Sequence, residues 1–137
     1  MARILCIDYG RKRTGLAVTD PLQIIGSGLV TVATSELFSF LQQYVAKEPV
    51  ERIVIGKPMQ PNGQPSENLA RVEQFVNRWQ KAMPDIPIEY YDERFTSVLA
   101  HQTMLDAGLK KKARQNKALV DEISATIILQ DYLRSRH

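Results

Sequence analysis

Apolar residues along this chain change their period several times, and the changes mark out its elements. Residues 3 to 8 (RILCID) form a short apolar run ending in an acid, and Gly10 with a basic triplet separates it from a second run, Thr14 to Val18. Two strands joined by a tight turn fit that spacing. Asp20-Pro21 reads as a turn and Gly26 to Val32 as a third strand, so the first three strands are expected to form an antiparallel meander. From Ser35 the spacing becomes helical: Leu37, Phe40, Leu41, Tyr44 and Val45 fall at i, i+3, i+4, i+7 and i+8, with Ser35 as N-cap and Pro49 as the stop. Arg52 to Gly56 reads as a buried strand. After a proline-rich loop, Ser66 can cap a helix whose core stripe is Leu69, Val72, Phe75, Val76 and Trp79. Ile88 to Tyr91 returns as a strand, Thr96 to Asp106 reads as a short helix, and Leu119 to Leu133 as a last helix that is apolar on most of its circumference.

Strand-like and helix-like segments therefore alternate, which predicts an α/β domain. Three antiparallel strands followed by two parallel strands on right-handed crossovers give a mixed five-stranded sheet ordered 3-2-1-4-5, with the first strand central. At 137 residues the expected organisation is one domain spanning 1–137, with a core large enough to need neither disulfides nor a structural metal. Cys6 is the only cysteine, which excludes an intramolecular bridge and a multi-cysteine zinc site and fits a reducing cytoplasm. No secretory leader stands at the start and no apolar run approaches the ~20 residues of a membrane span, so no membrane partner is expected.

The net charge of +3 conceals an uneven distribution. Eight of the 18 basic residues sit in two stretches without an acid: Arg11, Lys12 and Arg13, then Lys110, Lys111, Lys112, Arg114 and Lys117. Without those eight, ten positive charges face 15 negative ones, about −5 for the remainder, so polyanions are repelled except at the two patches. Either run alone reads as a solvated turn; a shared position beside an active site would make them holders of a phosphate backbone. The stretch from Ala107 to Lys117 lacks apolar periodicity and balancing acids, and is expected to order only on nucleic acid.

Three carboxylates stand out. Asp8 ends what should be the central strand, where open α/β sheets place their ligands, although a turn-forming aspartate is the bland alternative. Asp92 and Glu93 end the fifth strand at the same edge, two ladder spacings or ~10 Å from the first, so the longer Glu93 is favoured. Asp121, expected in the first turn of the last helix, could simply favour the helix dipole or cap the N-terminus. Its spacing instead groups it with Ala125, Ile128 and Tyr132 on an apolar stripe, and a carboxylate aimed into a packed face needs a cation or metal. Asp8, Glu93 and Asp121 converging without histidine or cysteine would form a hard oxygen site for Mg²⁺ or Mn²⁺. Two such ions suit in-line phosphodiester displacement with no protein nucleophile.

The segments IDYGRKRTGLAVTD (7–20), IVIGKPMQPNG (53–63), DERFTS (92–97) and VDEISATIILQDYL (120–133) together resemble the YqgF/RuvX family, across nearly the whole chain and in order. The resemblance implies an RNase H-like fold and a nuclease active on structured nucleic acid: either maturation of the 5′ end of precursor 16S rRNA, with the small ribosomal subunit as partner, or resolution of branched DNA at Holliday junctions. It maps the family's acidic residues onto Asp8, Glu93 and Asp121. It also implies that Arg94 and Thr96 shape the site, with Arg94 a phosphate contact, that Gly10 permits close approach, and that Gly15 serves packing. Two departures bear on the chemistry. Gly56 and Lys57 stand where related RuvC-type resolvases carry an acid after the fourth strand, which leaves the second ligand to Glu93. Lys57 also replaces an apolar residue usual in the motif, and reads as a substrate contact or a solvated lysine.

Two rival classes remain open. Asp8-Tyr9-Gly10 with Gly15 also resembles the hairpin of actin- and sugar-kinase-like domains, but these close two lobes around a nucleotide, and neither a second lobe nor a G-x-x-x-x-G-K-[ST] loop is present. A non-catalytic RNA- or ribosome-binding module would keep the fold and lose metal affinity, which Mn²⁺ titration distinguishes. Junction resolution would ask for a symmetric homodimer, and the apolar last helix is compatible with a monomer or a homodimer.

Overall fold

The computed structural model describes residues 2–57, 68–92 and 117–135. Strand β1 (Arg3–Asp8) is the centre of a five-stranded sheet with β2 (Arg13–Thr19), β3 (Gly26–Ala33), β4 (Val50–Lys57) and β5 (Ile88–Asp92), in the order β3-β2-β1-β4-β5. The β1–β2 and β2–β3 pairings are antiparallel, and β1–β4 and β4–β5 are parallel. Sheet order and strand directions are those the sequence pattern predicts.

β1 is apolar at every interior position because both of its faces are covered. Leu5 and Ile7 face helices α1 (Leu37–Lys47) and α2 (Leu69–Ala82), while Ile4 and Cys6 face helix α3 (Lys117–Ser135). All five residues of the predicted α2 stripe are buried, and Trp79 donates its indole N–H to the Ile86 carbonyl at 3.2 Å. On the opposite layer, α3 buries Ala125, Ile128, Leu129, Tyr132 and Leu133. Two tyrosine hydroxyls lock it to the sheet: Tyr132 of α3 donates to Glu89 of β5, and Tyr91 of β5 donates to Asp131 of α3.

Two local expectations are corrected. Ser35 does not cap α1: a 3₁₀ turn at Thr34–Glu36 precedes that helix, and its N-cap Glu36 makes no side-chain cap bond. Thr34 is committed instead to the β1–β2 turn, donating its hydroxyl to the Gly10 carbonyl at 2.7 Å and its N–H to the Lys12 carbonyl at 2.9 Å. Second, α3 begins at Lys117 rather than Leu119, so Asp121 lies beyond the first turn and is not explained by the dipole of the helix end. The Ser66 cap and the Thr96 to Asp106 helix lie outside the described residues, as does the basic stretch up to residue 116.

Candidate active site

Asp8 stands at the carboxyl end of the central strand, paired in register with Gly15 of β2. One pleat earlier Cys6 pairs with Ala17, and both face α3, so strand alternation puts Asp8 and Gly15 on that same face. Gly15 lets the helix come down onto the strand. A Cβ there would lie 2.1 Å from the carbonyl oxygen of Asp121, a separation that real atoms cannot occupy. The backbone at Asp121 therefore rests on β2 beside the end of β1, and the inward stripe of Ala125, Ile128 and Tyr132 fixes the rotation of the helix that carries it.

This packing brings two acids into one electrostatic environment. The Asp8 carboxyl is pushed up to about 7, chiefly by burial and secondly by the negative charge of Asp121. Among the described residues, no hydrogen-bond donor reaches the Asp8 carboxylate. Asp121 is held by Arg13, the first residue of β2, whose Nε donates to Oδ2 at 3.1 Å. Arg13 is thus turned toward an acid, whereas Arg11 and Lys12 of the same triplet are exposed on the turn. Gly10 lets that turn close on itself, because a Cβ there would lie 2.0 Å from the Arg13 carbonyl oxygen. Thr34 fastens the turn to the start of α1, a role that a lone threonine between predicted elements does not signal.

Two hard oxygen ligands in each other's field, matched by one guanidinium, fit a divalent cation: its charge would let Asp8 ionise and would offset the repulsion between the acids. Among the described residues no set of three potential ligands is assembled. Glu93 follows the last residue of β5, Asp92, which pairs in register with Lys57. Glu93, Arg94, Thr96, Lys110, Lys111, Lys112 and Arg114 lie outside the described residues, and Lys117 opens α3. Lys57 places its ammonium 5.9 Å from the centre of the Tyr90 ring. No helix among the described residues is long and apolar enough to cross a membrane.

Comparison with known proteins agrees with this architecture. A family model described as "RuvX: Holliday junction resolvase" matches residues 2–135. A protein of Phocaeicola vulgatus named "Putative pre-16S rRNA nuclease" is 68% identical over 136 residues, covering 99% of this chain and 98% of its own. Proteins of the same name from Bacteroides thetaiotaomicron and Flavobacterium psychrophilum are 67% and 60% identical, the first covering 99% of both chains and the second 97% of both. Among solved structures, T. thermophilus RuvC in complex with a Holliday junction substrate superposes with a TM-score of 0.57 at 14% identity, covering 98% of this chain and 96% of that one. The fowlpox virus Holliday junction resolvase gives the same TM-score and identity, over 97% of this chain and 99% of its own. At that identity the likeness is one of fold, the RNase H-like fold of RuvC-type resolvases.

Proposed function

This chain belongs to the RuvX family, and from that premise we propose that it is a metal-dependent endonuclease that trims the 5′ end of precursor 16S rRNA in the cytoplasm. The observation that carries the proposal is the pairing of Asp8 with Asp121 at one rim of the sheet, two acids from the two ends of the chain held in a partly buried environment. The choice of RNA rests on the shared name of the relatives; junction-shaped DNA is the second reading, favoured by the family's description and by the two resolvase structures.

Asp8, Asp121 and Glu93 would hold Mg²⁺ or Mn²⁺. Bound there, the ion supplies the positive charge that polarises the scissile phosphodiester and lowers the pKa of a water. The chain's own residues do the rest. Burial of Asp8 strengthens the pull of its ionised carboxylate on a cation, because a low local dielectric strengthens the attraction. Arg13 fixes the orientation of the Asp121 carboxylate. Arg11 and Lys12, with Arg94 and the basic run Lys110, Lys111, Lys112, Arg114 and Lys117, would hold backbone phosphates beside the acids without reading sequence.

The test is cleavage by the purified protein, with Mg²⁺ or Mn²⁺ and with EDTA, of a precursor RNA spanning the mature 5′ end and of a four-way DNA junction. Metal-dependent cleavage of the RNA, lost in Asp8→Asn, is expected. Cleavage of the junction alone would move the assignment to a resolvase. Cleavage of neither, with Mn²⁺ bound as well by Asp8→Asn as by the parent, would leave a binding module associated with the ribosome.

A further inference from the structure

On the other face of the sheet from Asp8, at the same rim, lies a cleft of about 260 Å³ between the 3₁₀ turn, α1 and α2. Three donor-bearing side chains of α2, Arg71, Gln74 and Arg78, line one wall. Their spacing of i, i+3 and i+7 places them on one stripe of the helix. Thr34 and Ser35 border the opposite wall, and among the described residues no carboxylate lines the cleft. Among the described residues neither Arg71 nor Arg78 has an ion-pair partner. A pocket rich in N–H donors, with two uncompensated guanidinium groups, is a site for an anion.

The floor of the cleft is aromatic and rigid. The Arg78 guanidinium carbon sits 3.9 Å above the Phe38 ring, and Phe38 packs edge-on against Trp79 and Phe75 at 5.6 and 6.2 Å. Phe75 in turn meets Tyr9 at 5.8 Å. Cation–π contact with a fixed ring orients Arg78 and leaves its N–H edge free for an acceptor. Asn68, at the start of α2, donates to the Tyr9 carbonyl at 2.9 Å and ties that helix to the end of β1.

Tyr9 links the cleft to the acidic rim. It directly follows Asp8, the last residue of β1, and packs on the α1 and α2 face, whereas Asp8 lies on the α3 face, so a polymer crossing this rim passes Asp8 on one side and the arginines on the other. A free phosphate has no reason to sit beside a strand-cleaving rim, whereas the next linkage of a bound strand does. We propose that the Arg71–Gln74–Arg78 cleft binds the sugar-phosphate backbone of the substrate strand immediately flanking the cleaved linkage. The proposal rests on reading the Asp8–Asp121 rim as the nuclease site, and adds to it a binding surface on the opposite face.

Binding and cleavage are to be read separately. In EDTA, a fluorescein-labelled single-stranded RNA spanning the mature 5′ end is titrated with the parent and with Arg71→Gln/Arg78→Gln at several salt concentrations. The double variant should bind about tenfold more weakly, with the slope of log K against log salt reduced by roughly 1.4, the release of about two counterions on a single strand. Lys47→Gln/Lys81→Gln removes equal charge from helix ends that do not line the cleft, and should leave affinity and slope near the parent's. Arg71→Gln alone, which keeps the Phe38 contact of Arg78, should show about half the change in slope. With Mn²⁺ present, the double variant should raise KM and leave kcat within about twofold. Unchanged affinity and slope, or equal losses in the lysine control, would overturn the proposal. So would thermal stabilisation of the parent by inorganic phosphate or AMP that the double variant loses while RNA binding is intact, since the cleft would then be a small-ligand site. Absence of cleavage by every protein would sink the nuclease reading and leave the binding comparison to decide the cleft.

Discussion

Arg13 and Asp121 are 108 residues apart in the chain, yet the guanidinium Nε lies 3.1 Å from the carboxylate Oδ2. The two side chains are 41% and 24% exposed, so the pair stabilises the fold by no more than ~1 kcal/mol. Its larger consequence is electrostatic: one positive charge stands against Asp121, one of the acids proposed to hold a divalent cation.

Arg13 is therefore expected to compete with metal. Arg13→Gln should bind Mn²⁺ several-fold more tightly in calorimetric titration, Arg13→Lys should lie between, and the midpoint of thermal unfolding should hardly move. Weaker Mn²⁺ binding by Arg13→Gln would show that orienting Asp121 outweighs the removal of charge.

Asp8 makes stability depend on pH in a direction opposite to that of most carboxylates. Its folded-state value of about 7 lies above the unfolded value of 3.8, so between them the folded state holds the proton more tightly. The contribution of Asp8 to stability is thus greatest in acid, falls as pH rises from about 4 to 7, and is level above that. At 1.36 kcal/mol per unit the cost at pH 8 is on the order of a few kcal/mol. Asp8→Asn should abolish cleavage and yet raise the melting temperature in EDTA by several degrees at pH 8, and by much less at pH 5. Mn²⁺ should narrow the gap at pH 8 by stabilising only the parent. Equal melting temperatures at both pH values would contradict the buried environment of Asp8.

The sheet order was legible because β1 and β4 are apolar on both faces, while the meander strands are bounded by Gly10 and Asp20-Pro21, marks that single-residue chemistry leaves in a sequence. The approach of Asp121 to Asp8 was legible in part: the stripe through Ala125, Ile128 and Tyr132 pointed Asp121 inward. The partner that receives it is Gly15, and a glycine carries no periodic signal of what lies above it. Arg13 read as one of three equivalent turn charges because pairing across 108 residues leaves no local trace. The cleft of Arg71, Gln74 and Arg78 was not read from the sequence, because the residues facing them come from the 3₁₀ turn and α1, which only the tertiary fold brings opposite. Thr34 was missed for the same reason: its hydrogen bonds reach Gly10 and Lys12, and local spacing favoured Ser35.

The basic run after residue 109 should act on all substrates alike. Replacing Lys110, Lys111 and Lys112 with Gln is expected to weaken binding of RNA and junction DNA by similar factors and to lower the salt slope, because backbone contacts release counterions without reading bases. An unchanged slope in filter binding would make the run irrelevant to substrate. Selective loss on one substrate would instead assign it to shape recognition.

Gly15 supplies the most direct mechanical test. A methyl group at that position would meet the Asp121 carbonyl oxygen at 2.1 Å and its carbonyl carbon at 2.4 Å, both backbone atoms that cannot rotate away. Helix α3 would have to lift off β2, carrying Asp121 away from Asp8 and straining the packing of Ala125 and Ile128 below it. Overpacking of this kind costs about 1–3 kcal/mol, and a displacement near 1 Å between reacting groups costs about a hundredfold in rate. Gly15→Ala should therefore lower the melting temperature by several degrees and reduce kcat about a hundredfold, with RNA affinity in EDTA close to the parent's. Gly28→Ala is the matched control, since a Cβ on that β3 glycine would make only ordinary 3.5 Å contacts with Glu122 and Thr126. It should leave both quantities nearly unchanged. If Gly15→Ala cleaves at the parental rate, Asp121 need not sit where α3 now holds it, and its place beside Asp8 is a matter of packing rather than of chemistry.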